Sequence, residues 1–360
     1  MARGQLPAQP PRKPAVGGNL PVMATTLPVI DVSALVDERG DAAARTAAAR
    51  ALDAAARRHG FFFAVGHGVD AALIDRLTAA ARAFFAQPED EKMRIPMSAG
   101  GPAWRGYFPV GDELTSSRPD WKEGLYLGSE LGPDHPRVRT GTILHGANLW
   151  PDIPGFRDTV LAYIAALTRL GHAIMRGFAL GLQLPADWFA QHATAEPLVL
   201  LRLFNYPSRP VPAGSAAQWG VGEHSDYGLL TMLWQDDVGG LQVRTDDGWI
   251  AASPMPGSFV CNVGDMLDFM TGGRWRSVPH RVTLNTSGRD RLSIPFFFDP
   301  DFDAPVQRVP GLAAGADDSS RRWDGANLQA FEGRYGDYVT AKVGKVFPQL
   351  RQSLSGPAGG

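Results

Sequence analysis

Cysteine is almost missing: Cys261 stands alone, so no disulfide can close within the chain, and a reducing cytoplasm is the expected home. An excess of charge of one sign is missing too. Lys and Arg total 35 against 37 Asp and Glu, a formal net charge of −2. That balance gives no electrostatic reason to expect nucleic acid or an anionic membrane as a partner. No apolar run is long enough to span a bilayer, and the first 22 residues hold no hydrophobic segment of the secretory kind. Internal repeats are absent, as is any Ser/His/Asp or paired-carboxylate constellation. What is present is ordinary globular material: 360 residues, 44% hydrophobic and 20% charged. Gly (41) and Pro (29) are abundant, which favours turns and a β-rich fold.

The opening stretch, rich in Pro, Gly and Ala, reads as a flexible tail over 1–26. Order is expected from the strand Leu27-Pro28-Val29-Ile30-Asp31. Residues 41–59 and 71–86 read as helices, with the apolar run Phe61-Phe62-Phe63-Ala64-Val65 between them as a buried strand. Residues 154–183 carry a long helical pattern, with Val160, Ile164, Leu167 and Ile174 on one face. From Leu198 the period changes. Short apolar runs at 198–206, 229–234, 240–244, 248–251, 258–263, 280–285 and 291–298 predict an antiparallel sandwich or barrel. A last helix is expected over 326–343.

Of eight histidines, most have plain explanations on helices or in polar connections, and His67 between two glycines predicts a structural hydrogen bond. His224 and His280 differ. His224-Ser225-Asp226 sets an imidazole and a carboxylate two residues apart, on one side of an extended segment. His280 follows Asp226 after 53 intervening residues, at the start of another expected strand. Two histidines and one carboxylate suit Fe(II) and leave open positions for other ligands; the competing reading is a capped turn at Asp226 with two incidental histidines. Ten residues separate His280 from Arg291, which shares a strand side with Ser293. A guanidinium fork and a hydroxyl form a donor set for a carboxylate, and an inward Arg without an anion is costly. Cys261 reads as a core thiol, and Gly239 and Gly240 as hairpin glycines rather than a phosphate loop.

The spacing H-x-D-x53-H-x10-R-x-S, with the phrases GEHSDYGLLTMLWQDDVGGLQV and RLSIPFFFDP, resembles the isopenicillin N synthase-like group of Fe(II)/2-oxoglutarate-dependent dioxygenases. LPVIDVSAL, HGFFFAVGHGV, RGYF and DWKEGLYLG extend the resemblance over roughly 27–345. It implies a mainly β fold with α, a double-stranded β-helix (jelly-roll) core flanked by helices. The expected parts are a mixed helical domain at 27–150, a helical connection at 151–196, the core at 197–305 and a C-terminal helix and tail at 306–360.

The resemblance implies that His224, Asp226 and His280 ligate Fe(II), and that Arg291 and Ser293 hold the distal carboxylate of 2-oxoglutarate. Tyr206 would contact that co-substrate, although Phe204 stands where the group usually has Asn. Tyr227, Arg105, Tyr107 and Phe298 are expected pocket residues, the last only if a bulge turns it inward, since alternation places Pro295 and Phe297 beside Arg291. Arg105, Tyr107, Lys122 and Glu123 would touch substrate or else pair across the domain interface. With O2 the reaction would oxidise a small-molecule metabolite by hydroxylation, desaturation or cyclisation, releasing succinate and CO2. The alternatives are a 2-oxoglutarate-independent oxidase or cyclase, an ethylene-forming type of enzyme and, more distantly, a binding module without catalysis. A monomer or weak oligomer is expected.

Overall fold

The computed structural model describes residues 26–346 except 38, 116–117 and 211–218, with side chains up to 344. The two tails expected at the ends therefore lie outside the described residues, apart from Thr26.

Among the described residues fourteen strands run in chain order: β1 (Val29–Asp31), β2 (Phe61–Val65), β3 (Gly106–Phe108), β4 (Leu114–Thr115), β5 (Arg118–Pro119), β6 (Glu123–Gly128), β7 (Leu198–Tyr206), β8 (Trp219–His224), β9 (Leu230–Gln235), β10 (Leu241–Thr245), β11 (Gly248–Ala251), β12 (Phe259–Val263), β13 (His280–Thr283) and β14 (Arg291–Asp299). They form an eight-stranded sheet, β1-β2-β12-β9-β14-β7-β6-β3, a four-stranded sheet, β11-β10-β13-β8, and the small hairpin β4-β5. Strands β7 to β14 are the two faces of a jelly-roll core. The first half of the chain widens the larger sheet at both edges, with β1 and β2 beyond β12 and β6 and β3 beyond β7.

Strand β14 shows how the sequence sets the two sides. Arg291, Ser293, Pro295, Phe297 and Asp299 line the cavity between the sheets. Leu292, Ile294, Phe296 and Phe298, offset by one residue, join the large apolar core on the opposite face. That face is covered by the helix Phe156–Gly181, close to the expected 154–183. The helices Ala42–Arg58 and Ala71–Phe85 pack on it in turn; each starts where an aspartate, Asp41 or Asp70, accepts from the backbone N–H two residues on.

The long helix approaches the sheet closely because it presents glycine. A Cβ at Gly171 would lie 2.5 Å from the Phe298 ring. Alanine at a helix-interior glycine gains roughly 0.5–1 kcal/mol of propensity, but overpacking a filled core costs about 1–3 kcal/mol. The clash wins: Gly171→Ala should destabilise the fold, read as a lower denaturant midpoint, and an unchanged or higher midpoint would contradict this packing.

Some expected elements shift. The strand expected over 280–285 ends at Thr283, and the last helix runs Tyr335–Val346 rather than 326–343, preceded by one 3-10 turn at Leu328–Ala330. Strands β3, β6 and β8 and the short helix Asp265–Met270 are additional.

Candidate metal and co-substrate site

His224 and His280 are direct partners across β8 and β13, so their rings meet at 4.3 Å between centroids. Asp226 comes from beyond the end of β8, held there by its backbone carbonyl, which accepts from the Asp265 N–H at 2.8 Å. Its Oδ1 lies 3.9 Å from His224 Nε2 and 3.7 Å from His280 Nε2. One ion at about 2.0–2.2 Å from each donor spans those separations. Among the described residues this is the one His/Cys/Asp/Glu group with such convergence.

The surroundings prepare each donor. His224 Nδ1 faces the Gly222 carbonyl at 2.9 Å and His280 Nδ1 the Val278 carbonyl at 3.4 Å, which directs both Nε2 lone pairs inward. Asp226 Oδ2 accepts from Thr231 Oγ1 at 2.6 Å and from Asn262 Nδ2 at 2.7 Å, leaving Oδ1 free. Burial would raise the Asp226 pKa, but the neighbouring His280 and His224 and these two hydrogen bonds hold it below the usual value. Burial pushes His280 down to about 4, reinforced by His224 and opposed by Asp226. At neutral pH Asp226 is therefore a carboxylate and His280 a neutral imidazole, the protonation a divalent metal needs of such ligands.

Thr231 on β9 and Asn262 on β12 are outer partners that the motif reading did not single out, although they are each other's register partners. Removing an outer partner of a metal ligand typically costs 10–100-fold in metal affinity. Asn262→Ala is therefore expected to weaken Fe(II) binding by that order; an unchanged dissociation constant would remove Asn262 from this role.

At another part of the same cavity, of about 380 Å³, stands Arg291. It is 1% exposed, and its Nη2 reaches only Gln235 Oε1, at 3.2 Å. Nε and Nη1 have no partner. The Tyr206 ring lies 4.7 Å from the guanidinium, and Ser293 lines the same wall. Burial raises the Tyr206 pKa against the pull of Arg291 and Lys122, so its hydroxyl stays protonated. A buried guanidinium with unsatisfied donors has the chemistry to take a carboxylate.

Among the expected pocket residues, Tyr227 lines the cavity. Arg105, Tyr107 and Phe298 do not, and each has a physical reason. Arg105 is buried under Gly128, with its Nη2 donating to the Leu144 carbonyl at 2.9 Å. The Tyr107 hydroxyl donates to Glu123 Oε2 at 2.6 Å, beside the Lys92–Glu123 ion pair. Phe298 follows strict alternation with no bulge and packs on His172 and Gly171. Lys122 reaches the cavity but is fully engaged by Asp120 and Glu113, at 2.5 and 2.8 Å, which hold its pKa up despite burial. His67 Nδ1 accepts from the Val69 N–H, as expected. Cys261 is buried and free.

The C-terminal segment supplies a wall that the motifs did not announce. Trp323, Asp324, Val339, Lys342 and Val343 line the cavity. Trp323 Nε1 donates to Ser225 Oγ at 2.9 Å, inside the H-x-D motif. Asp265, whose N–H holds Asp226, receives Arg322 at 2.8 Å and the Tyr338 hydroxyl at 2.7 Å.

Comparison with known proteins agrees with this geometry. Residues 27–153 match the family model described as non-haem dioxygenase in morphine synthesis N-terminal, and 196–300 match the 2OG-Fe(II) oxygenase superfamily. A Dictyostelium discoideum protein named as a probable iron/ascorbate oxidoreductase is 48% identical over 91% of this chain and 96% of its own length. The 1-aminocyclopropane-1-carboxylate oxidase of Dictyostelium mucoroides is 39% identical over 92% of this chain and 97% of its own. A full-length Neurospora crassa protein, whose crystal structure holds alpha-KG, superposes with a TM-score of 0.73 at 27% identity, covering 88% of this chain and 95% of that one. No helix among the described residues is long and apolar enough to cross a membrane. The chain belongs to the 2OG-Fe(II) oxygenase superfamily and is a 2-oxoglutarate-dependent Fe(II) dioxygenase.

Proposed function

We propose that this chain oxidises a small-molecule metabolite with Fe(II), 2-oxoglutarate and O2, releasing succinate and CO2. His224, Asp226 and His280 hold the iron, and Arg291 with Ser293 holds the distal carboxylate of 2-oxoglutarate, with Tyr206 packed beneath the guanidinium. Bound iron supplies the activation of O2 that no side chain can perform. The chain's own residues bind, orient and exclude water. The observation that carries the reading is Arg291: buried, with two unpartnered guanidinium nitrogens, in the cavity that also holds the His-Asp-His group. Thr231 and Asn262 fix the carboxylate oxygen that turns away from the metal position and so aim the other one at it, and the mostly apolar walls keep the site dry. A relative named for an amino acid makes small amino acids the first substrates to try.

The name oxidase on that 39% identical relative favours a second reading, in which the substrate's own carboxylate takes Arg291 and no 2-oxoglutarate is consumed. Succinate release, measured with Fe(II) and O2 in the presence and absence of 2-oxoglutarate, separates the two. Formation of succinate is expected; oxidation of substrate with no 2-oxoglutarate required would overturn the proposed reading.

A further inference from the structure

Two arginines line the cavity without a carboxylate in ion-pair contact among the described residues. Arg291 is one of them, and Arg202 is the other. Arg202 lies on the cavity side of β7, four residues before Tyr206, which at about 3.3 Å per residue sets it ~13 Å along the strand from the Arg291 end. It sits beside Pro295, in the ladder that pairs Arg291 with Tyr206 and Ser293 with Phe204. Although it is only 5% exposed, its Nη1 reaches no carbonyl closer than those of Leu127 and Leu201, both at 3.4 Å. The Tyr126 ring stacks 3.5 Å from the guanidinium carbon, and the Phe297 ring lies 5.8 Å away on the cavity wall. Burial lowers the Arg202 pKa, and the Tyr126 hydroxyl with the more distant Glu113 and Asp299 carboxylates offsets this only in part.

The other cations of the cavity differ. Lys122 is matched by Asp120 and Glu113, and Lys342 is paired with Asp324. The nearby Asp299 carboxylate is taken by the Tyr335 hydroxyl at 2.5 Å. A guanidinium set over the Tyr126 ring, hydrogen-bonded to that residue and in ion-pair contact with no carboxylate among the described residues, still has charge and donors to offer an anion. The Arg291 site cannot supply that anion, because it lies at the other end of the wall.

We infer that Arg202 is a second carboxylate anchor, which binds an acidic group of the prime substrate and selects acids over neutral molecules. The inference rests on the proposed function, in which 2-oxoglutarate occupies Arg291. It adds a specificity rule: the substrate carries a carboxylate set apart from the carbon that is oxidised. The flat aromatic bed positions the fork for bidentate contact with a planar anion.

Matched acid and carboxamide pairs test it, beginning with 1-aminocyclopropane-1-carboxylate and its amide and extending through small amino acids and other small carboxylic acids. Stimulated succinate release and anaerobic calorimetry on the chain loaded with Fe(II) and 2-oxoglutarate give KM and Kd for each member. Acids should bind about ten- to a hundredfold more tightly than their amides, the scale of one charge-assisted bond. In Arg202→Gln the ratio should collapse towards one, with the rise falling on the acid's KM and not on that of 2-oxoglutarate. Arg202→Lys, which keeps the charge and loses the fork, should fall between. Should removal of Arg202 harm folding, the acid-to-amide ratio of the unaltered chain still decides. Amides that match acids, a ratio that survives Arg202→Gln, or a panel in which no acid binds would each overturn the anchor. Succinate formed by the unaltered chain without any added substrate reports on the Arg291 reading separately.

Discussion

His224→Ala should abolish turnover and strip iron from the chain while leaving the metal-free fold standing. In the proposed site three donors hold the metal, and removal of one leaves only Asp226 and His280, too few to define a face. The cost to folding is small because the side chain is 24% exposed and its ring hydrogen-bonds the Gly222 carbonyl, a local contact two residues away. Losing such a bond costs about 0.5–1.5 kcal/mol, well within the stability of a domain. Metal content by elemental analysis and a melting curve of the metal-free variant check both halves. A variant that keeps its iron and its activity would remove His224 from the site.

Arg291→Lys should raise the KM for 2-oxoglutarate about ten- to a hundredfold, the equivalent of roughly 1.5–3 kcal/mol, while the KM of the prime substrate moves little. Charge is kept, but the planar fork is not, and the lysine ammonium cannot reproduce two parallel bonds. The guanidinium of Arg291 is placed by Gln235 on one side and the Tyr206 ring on the other, a seat shaped for a flat group. Kinetics with each component varied in turn decide the matter. A rise confined to the prime substrate, with no response to 2-oxoglutarate, would instead give Arg291 to the substrate.

The sequence displayed the convergent His-Asp-His group because its members sit in one short phrase and at the start of one strand, where local spacing is informative. It displayed the cavity side of β14 for a similar reason: alternation from Arg291 correctly set Pro295 and Phe297 inward, and Phe298 went with the opposite face. For Arg105 and Tyr107 the sequence left pocket contact and internal pairing open, because their partners, Leu144 and Glu123, are brought near only by folding. Arg202 lay unnoticed inside LVLLRLFNY, although it stands four residues before Tyr206 and so shares its side of the strand; the apolar run drew the reading to the core. The wall formed by Trp323 and Lys342 depends on contacts with Ser225 and Asp324, and pairings at such separations carry no periodic signature. Helix Asp265–Met270 is too short for a 3.6-residue pattern to emerge.

The placement of the donors also makes the site a staple. His224 and His280 belong to the smaller sheet, whereas Asp226 is bonded to Thr231 and Asn262 of the larger one. An ion held by all three ties the two layers together at the point where neither backbone ladder crosses. Metal concentration then becomes a variable of stability: for a ligand that binds only the folded chain, saturation at a hundred times Kd adds about 2.7 kcal/mol. The melting temperature is then expected to rise with added Fe(II), so the same ion would set stability as well as activity.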